Sequence, residues 1–154
     1  MERYRFVIVG SGWRAGYYIR IAKALPELFD LRAVLCRNEE KAGRIKSLYG
    51  VNAVASDEEC IRERPDLVVT AVSKTVGTEV ALRWLERGFT VLAETPAGLD
   101  INALERLWDA HLLGRKLVVA EQYTHYASYS SLLKVVNKGL ISSEKPCRTH
   151  ICPS

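Results

Sequence analysis

Short apolar runs alternate with amphipathic stretches along the chain. Phe6-Val7-Ile8-Val9 is continuously apolar and stops at Gly10, the pattern of a strand buried on both faces. Helical spacing follows through Tyr17, Ile21, Ala22 and Leu25, up to Pro26, which cannot continue a helix. Leu31–Leu35 predicts a second strand, Glu39–Tyr49 a helix stopped by Gly50, and Val51–Ala55 a short third strand. Ser56-Asp57-Glu58-Glu59 has the spacing of a capping box, in which the serine hydroxyl and the third-position glutamate satisfy free amides reciprocally. A short helix therefore opens there and ends before Pro65. Leu67–Val72 predicts the fourth strand, and Val76, Val80, Ala81, Trp84 and Leu85 mark a helix face closed by Gly88. Thr90–Ala93 reads as the fifth strand, and Ile101, Leu104, Leu107 and Trp108 line the next helix. Leu117–Ala120 reads as a sixth strand, and Leu132, Leu133, Val135 and Val136 belong to a last helix with Gly139 at its C-cap position. Parallel strands need crossovers, and right-handed crossovers give an α/β doubly wound parallel sheet with helices on both faces.

Composition narrows the class. The 154 residues suit one domain, and 48% apolar with 26% charged residues matches an ordinary soluble globular protein. Disorder, collagen and a disulfide-stapled miniprotein are excluded on that ground. No apolar run reaches the roughly 18 residues needed to span a bilayer, and Met1-Glu2-Arg3-Tyr4-Arg5 lacks the apolar core of a signal peptide. A cytoplasmic protein with no membrane partner is expected. The net charge of +4 is mild and has no run of like charges, so no nucleic-acid partner is indicated. Cys36, Cys60, Cys147 and Cys152 form no CxxC pair and read as reduced thiols. Cys147, His150 and Cys152 fall short of the four ligands of a structural zinc site, so no metal is expected. His111, near the end of its helix, reads as a complement to the helix dipole.

Chemistry concentrates where the first strand meets the first helix. Gly10-Ser11-Gly12-Trp13-Arg14-Ala15 is a GxGxxA segment at that junction, the Rossmann position for a dinucleotide. The first glycine permits a tight turn, the second lets a diphosphate approach the backbone, and the small Ala15 lets helix and strand pack closely. Free amides and the dipole at the helix start favour phosphate there. Arg14 in the first turn opposes that dipole; it serves an anion, or it is a solvated surface arginine. The end of the second strand, where an NAD site usually carries an acid, falls on Cys36, followed by Arg37 and Asn38. No carboxylate repels a 2′-phosphate there, and the Arg37 guanidinium can pair with one, so NADP is expected over NAD.

Four segments then follow in order: Gly10–Ala15, the Arg37–Ala42 turn and helix start, Pro65–Val69, and Gly88-Phe89-Thr90-Val91-Leu92-Ala93-Glu94-Thr95-Pro96. Together they resemble the nucleotide-binding half of the glucose–fructose oxidoreductase/inositol dehydrogenase (Gfo/Idh/MocA) family over residues 4–141. The resemblance implies an NAD(P)-dependent oxidoreductase that moves hydride between nicotinamide and a sugar, polyol or related small molecule. It divides the chain into a dinucleotide-binding domain, 1–141, and a tail, 142–154, as a truncated start of the family's second α/β domain. A chain of this length is then expected to bind nucleotide and turn over little.

The family's Glu-Lys-Pro segment, whose lysine assists proton transfer, reads Glu94-Thr95-Pro96 here. Thr95 has a hydroxyl but no charge, and its pKa is far too high for acid–base work near neutrality. Glu94 and Pro96 keep cofactor-edge positions, Pro96 also serving as a rigid turn. In Val72-Ser73-Lys74-Thr75-Val76-Gly77, Ser73 is placed to bond a cofactor oxygen, and Thr75 to do the same or, the preferred reading, to cap the following helix. After the sixth strand, Gln122 replaces a common asparagine at the nicotinamide end, and Tyr123 and His125 are the nearby titratable groups. Two other readings stand beside this one. One is a nucleotide-binding regulatory or interaction module without redox activity, favoured by Thr95. The other is a homo-oligomer formed through Trp84, Trp108 and Tyr123, Tyr126 and Tyr129, with core burial the default for both tryptophans.

Overall fold

Side chains alternate across each strand, and that alternation divides the core into two layers. In the computed structural model, which describes residues 3–138, β1 (Tyr4–Val9) turns Val7 and Val9 to one layer and Phe6 and Ile8 to the other. A strand with helices above and below it must be apolar at every position, which is why Phe6–Val9 carries no polar alternation. β1 is followed by α1 (Trp13–Ala24), β2 (Phe29–Leu35), α2 (Glu39–Tyr49), β3 (Ala53–Val54), α3 (Asp57–Arg62) and β4 (Leu67–Thr70). Then come α4 (Lys74–Glu86), β5 (Thr90–Ala93), α5 (Ile101–Leu112), β6 (Leu117–Val119), a 3₁₀ turn (Tyr123–His125) and α6 (Ala127–Asn137).

The six strands form one sheet in the order β3-β2-β1-β4-β5-β6, and every pair is parallel. The chain winds outward from β1 to β3, returns to the centre, and winds outward again from β4 to β6. This is the doubly wound Rossmann order. Ala15, Ile19, Ala42 and Ile45 of α1 and α2 pack on one face, and Ala81, Trp84, Leu85 and Leu107 of α4 and α5 on the other.

Local signals set several boundaries. Glu39–Tyr49 is helical as expected, with Gly50 in the left-handed conformation at its end (φ 62°). The capping box forms: the Ser56 hydroxyl accepts from Glu59 N, and the Glu59 carboxylate accepts from Ser56 N. Three expected strands are shorter in the structure, β6 by only its last residue, Ala120. β3 pairs only through Ala53 and Val54 because it is an edge strand with one neighbour. β4 stops at Thr70, where Ala71–Ser73 peel away from β5. The two tryptophans part company. Trp84 is fully buried, whereas Trp108 is 61% exposed and meets the His111 ring at a tilt, with centroids 5.5 Å apart. Helical spacing shows that Ile101, Leu104, Leu107 and Trp108 share a side of α5; of the four, only Leu107 reaches the core.

The contacts divide the chain after Ala120 into two units. The first holds the whole sheet. The second is described through Lys138 and comprises the 3₁₀ turn and α6, whose Leu132, Leu133 and Val136 are exposed. Gly139, the 142–154 tail, Cys147, His150 and Cys152 lie outside the described residues. No described helix is long and apolar enough to cross a membrane.

Ile8, fully buried at the centre of the sheet, and Leu112, two-thirds exposed, bracket the packing energies. Ile8→Ala is expected to lower unfolding stability by about 2–5 kcal/mol, and Leu112→Ala by no more than about 0.5 kcal/mol. Urea melts of the two variants against the parent chain check both values.

Candidate functional site

The site begins with a close approach of backbone to backbone. Gly10, just past β1, donates its N–H to the Leu35 carbonyl at 2.9 Å and holds φ at +120°. A Cβ there would run into the carbonyl oxygen of Ala71, so the position excludes every residue with a side chain. The contact draws the ends of β1, β2 and β4 together, and the chain then rises through Ser11 into α1 with Gly12 as its N-cap. Ala15, completely buried, lets this first turn sit directly on the sheet. At Gly12, by contrast, a Cβ would meet no atom within 4 Å. Packing within the protein therefore does not require glycine at that point.

Above these ends lies a crevice of about 650 Å³. It stands outside the carboxyl ends of the strands where the winding reverses between β1 and β4, the place where open α/β sheets take ligands. Gly10, Ser11, Gly12, Trp13 and Arg14 form one wall, Cys36 and Arg37 a second, and Ala71, Val72 and Ser73 a third.

Two helices point their N-termini into it, α1 and α4, and both lack a side-chain cap and any acidic residue in the first turn. The other helices of the sheet unit are capped, α2 by Asn38, α3 by Ser56 and α5 by Asp100. Ser73 and Thr75 are hydrogen-bonded to each other at 2.9 Å instead. Thr75 thus lies inside α4 and does not cap it, while the Ser73 side chain occupies the cap position without bonding to a backbone amide of the helix. The first amides of a helix have no intrahelical partner, so α1 and α4 bring unsatisfied donors and positive dipole ends to one cavity.

Side-chain charge adds to the dipoles. Arg14, Arg37, Lys41 and Arg83 line the crevice against one carboxylate, Asp57, which accepts from Arg83 at 3.3 Å and Arg87 at 2.8 Å. Arg37 and Lys41 are exposed, and among the described residues neither side chain enters an ion pair. Lys41 also lines an adjoining pocket of about 320 Å³ with Ser11, Arg44 and Tyr49. Cys36 is buried at the end of β2; burial pushes its thiol up, and a hydrogen bond with Ser11 counters that. Asn38 is taken up in capping α2, its side-chain oxygen accepting from Lys41 N at 3.0 Å.

Arg14 makes a contact that local sequence could not reveal. Its Nε donates at 2.7 Å to Oε1 of Glu94, and the Tyr18 hydroxyl donates to the same oxygen. The hydrogen bond to Glu94 raises the Arg14 pKa; burial and then Glu94 push the Tyr18 phenol up. The guanidinium also lies over the Trp13 and Tyr17 rings, 5.9 and 5.5 Å from their centroids. Arg14 is therefore not the solvated arginine of one sequence reading. Glu94 opens the loop to α5, in which the Thr95–Pro96 peptide is cis and both residues are exposed.

Of the residues expected at the site, Gly10 through Arg14, Cys36, Arg37 and Ser73 share the crevice, Ala15 supports it from beneath, and Glu94 joins it through Arg14. Gln122, Tyr123 and His125 belong to the second unit, where the Tyr123 and Tyr126 rings meet edge to face at 5.6 Å. Lys41, Asp57, Val76, Val80 and Arg83 also line the crevice and were not anticipated. Their positions read locally as helix starts and helix faces, and only the topology carries them to this end of the sheet.

A sequence profile described as an oxidoreductase family with an NAD-binding Rossmann fold matches residues 4–123. No curated protein matches the chain. Among solved structures, the chain superposes on the WlbA dehydrogenase of Bordetella pertussis, solved with NADH and UDP-GlcNAcA. The TM-score is 0.79 at 20% identity, covering 90% of this chain and 43% of that one. Myo-inositol 2-dehydrogenase of Lactobacillus plantarum gives 0.76 at 19% identity, covering 92% and 43%. KijD10, a 3-ketoreductase of Actinomadura kijaniata solved with NADP and TDP-benzene, gives 0.76 at 24% identity, covering 92% and 44%. The chain spans about two fifths of the length of these proteins, and at such identities the likeness shows the fold.

Gly10→Ala is expected to destabilise the fold by about 2–5 kcal/mol, summing an unfavourable φ and a backbone collision. Thermal unfolding followed by circular dichroism checks it, and a variant as stable as the parent would contradict the close contact with Ala71.

Proposed function

The chain belongs to the Gfo/Idh/MocA oxidoreductase family, and from that membership we propose that the crevice receives a nicotinamide dinucleotide. The observation that carries this reading is the pair of uncapped, acid-free helix N-termini, α1 and α4, opening onto one basic cavity at the strand-order reversal. Neutral or cationic ligands gain nothing from that arrangement; a diphosphate gains both hydrogen bonds and charge. Residues of the glycine turn would hold the diphosphate: Gly10, Ser11, Gly12, Trp13 and Arg14. Cys36, Arg37 and Asn38 would face the adenosine end, and Ser73, Glu94 and Pro96 the nicotinamide side.

NADP is the preferred coenzyme in this reading. Cys36 brings a buried, uncharged thiol where a carboxylate would repel a phosphate, and Arg37 and Lys41 stand free beside it. Arg44, across the adjoining pocket from Ser11, extends the positive field. Bound there, nicotinamide supplies hydride transfer to or from a carbon of a sugar, polyol or related small molecule. The substrate class rests on the sugar-nucleotide ligand of WlbA and on the myo-inositol dehydrogenase, not on contacts of this chain. Thr95 cannot move a proton near neutrality, so in this reading another residue is the acid–base group. The same threonine favours a second reading, a nucleotide-binding module without redox activity.

Titration of the chain with NADPH and NADH, followed by nicotinamide fluorescence, tests the proposal. NADPH is expected to bind roughly tenfold more tightly than NADH, the worth of one charge-assisted phosphate contact, and Arg37→Ala to erase most of the difference. Failure of both coenzymes to bind would end the reading. In a chain lengthened to the span of those relatives, failure of every member of a panel of keto-sugars to oxidise NADPH would favour the non-redox module. Gly12→Ala, which meets no protein atom, is expected to cost no more than about 1 kcal/mol of stability, as alanine at an N-cap does, while weakening NADPH at least about tenfold, since the methyl takes the space of the diphosphate.

A further inference from the structure

Arg14 faces a carboxylate and the basic crevice at once. It lines the crevice at the first turn of α1, and its Nε is held at 2.7 Å by the carboxylate of Glu94 from the far end of β5. Glu94 is mostly buried, with a side chain 14% exposed, and Tyr18, one turn further along α1, donates to the same carboxylate oxygen. The carboxylate is thereby fixed beside the cation and cannot swing out to solvent. A fixed negative charge in contact with a guanidinium cancels much of the field that the guanidinium projects to any other anion.

Building on the dinucleotide reading, we infer that Glu94 sets the affinity of the crevice by sharing Arg14 with the bound diphosphate. In the free protein the guanidinium is neutralised by Glu94. A diphosphate at the N-terminus of α1 competes for the same cation, and its binding is weaker than the amides and Arg14 alone would give. Linkage makes the effect reciprocal: to whatever extent Glu94 weakens the ligand, the ligand weakens the Arg14–Glu94 pair. An anion in the crevice therefore loosens the tie between α1 and the Glu94–Pro96 loop. Tyr18 is a positioning residue in this device, because it holds the carboxylate without adding charge to the crevice.

The test is a double-mutant cycle on the 154-residue chain, with ADP as a probe that carries a diphosphate but no nicotinamide. Dissociation constants are measured at low and high salt for the parent, Glu94→Gln, Arg14→Met and the double variant, with Tyr18→Phe as a control. Glu94→Gln is expected to tighten ADP roughly three- to tenfold at low salt and to steepen the salt dependence. Arg14→Met weakens ADP and flattens the salt dependence. In the Arg14→Met background, Glu94→Gln tightens ADP less, because only the carboxylate's own repulsion is then removed and no guanidinium is released to the diphosphate. Tyr18→Phe leaves the salt dependence near that of the parent, because the carboxylate keeps its charge. Unchanged or weaker binding in Glu94→Gln, or equal tightening with and without Arg14, overturns the inference while leaving the dinucleotide reading intact. A parent chain that binds neither ADP nor NADPH overturns both. Far-UV circular dichroism on each variant separates a lost fold from a lost charge effect.

Discussion

Where β1 ends, the main chain at Gly10 lies against the carbonyl of Ala71 with no room for a side chain between them. That contact joins the two halves of the winding. β1 begins the run outward to β3, and Ala71 follows β4, which begins the run outward to β6. Their strand ends could not meet if a methyl group stood at Gly10. With them apart, the N-termini of α1 and α4 would not open onto the same cavity. The crevice is in this sense a consequence of one absent Cβ, and the hydrogen bond from Gly10 N to Leu35 O locks the end of β2 into the same arrangement.

Electrostatics then distinguishes the two ends of the sheet unit's helices. Asn38, Ser56 and Asp100 cap the helices that start away from the crevice or at its margin, and Glu39, Glu40, Asp57, Glu58 and Glu59 reinforce α2 and α3. Each such cap is worth about 1 kcal/mol. α1 and α4 forgo that stabilisation, and the unmet amides are concentrated where the lining is basic. Asp57 offsets part of the lining charge, pairing with Arg83 inside the crevice and with Arg87 beside it. Glu94 is different, because it neutralises a cation of the glycine turn itself.

Much of this was legible along the chain because it depends on neighbours in sequence. The helix Glu39–Tyr49, its Gly50 stop, the Ser56–Glu59 capping box and the strand Thr90–Ala93 are set by local chemistry, and each appears as expected. The glycine turn was legible for the same reason. What escaped is set by partners far apart. Arg14 and Glu94 are 80 residues apart, and nothing local couples them. Asp57 read as part of a cap, yet topology turns it toward Arg83. Trp108 fits the helical spacing of Leu104 and Leu107 but lies on the exposed flank of α5, because spacing reports a shared side of the helix and not what covers it. Thr75 looked like a cap from its residue type; α4 begins two residues too early for that.

The segment Glu94-Thr95-Pro96 separates two requirements that one loop could serve together. Holding a dinucleotide needs amides, cations and a fixed turn, and the crevice brings such groups together from α1, α4 and Arg37, with Thr95 outside its lining. Moving a proton needs a group that titrates near neutral pH, and threonine offers none. Tyr18, the nearest phenol to Glu94, is pushed further from that range by burial and by the carboxylate it serves. Glu94 itself is committed to Arg14 and Tyr18, a structural bond between α1 and β5's outgoing loop. The Glu94 carboxylate thus ties the loop to α1. In the proposed reading, cofactor binding and proton transfer fall to different residues: Thr95 is not among those lining the crevice, and its hydroxyl does not titrate near neutrality.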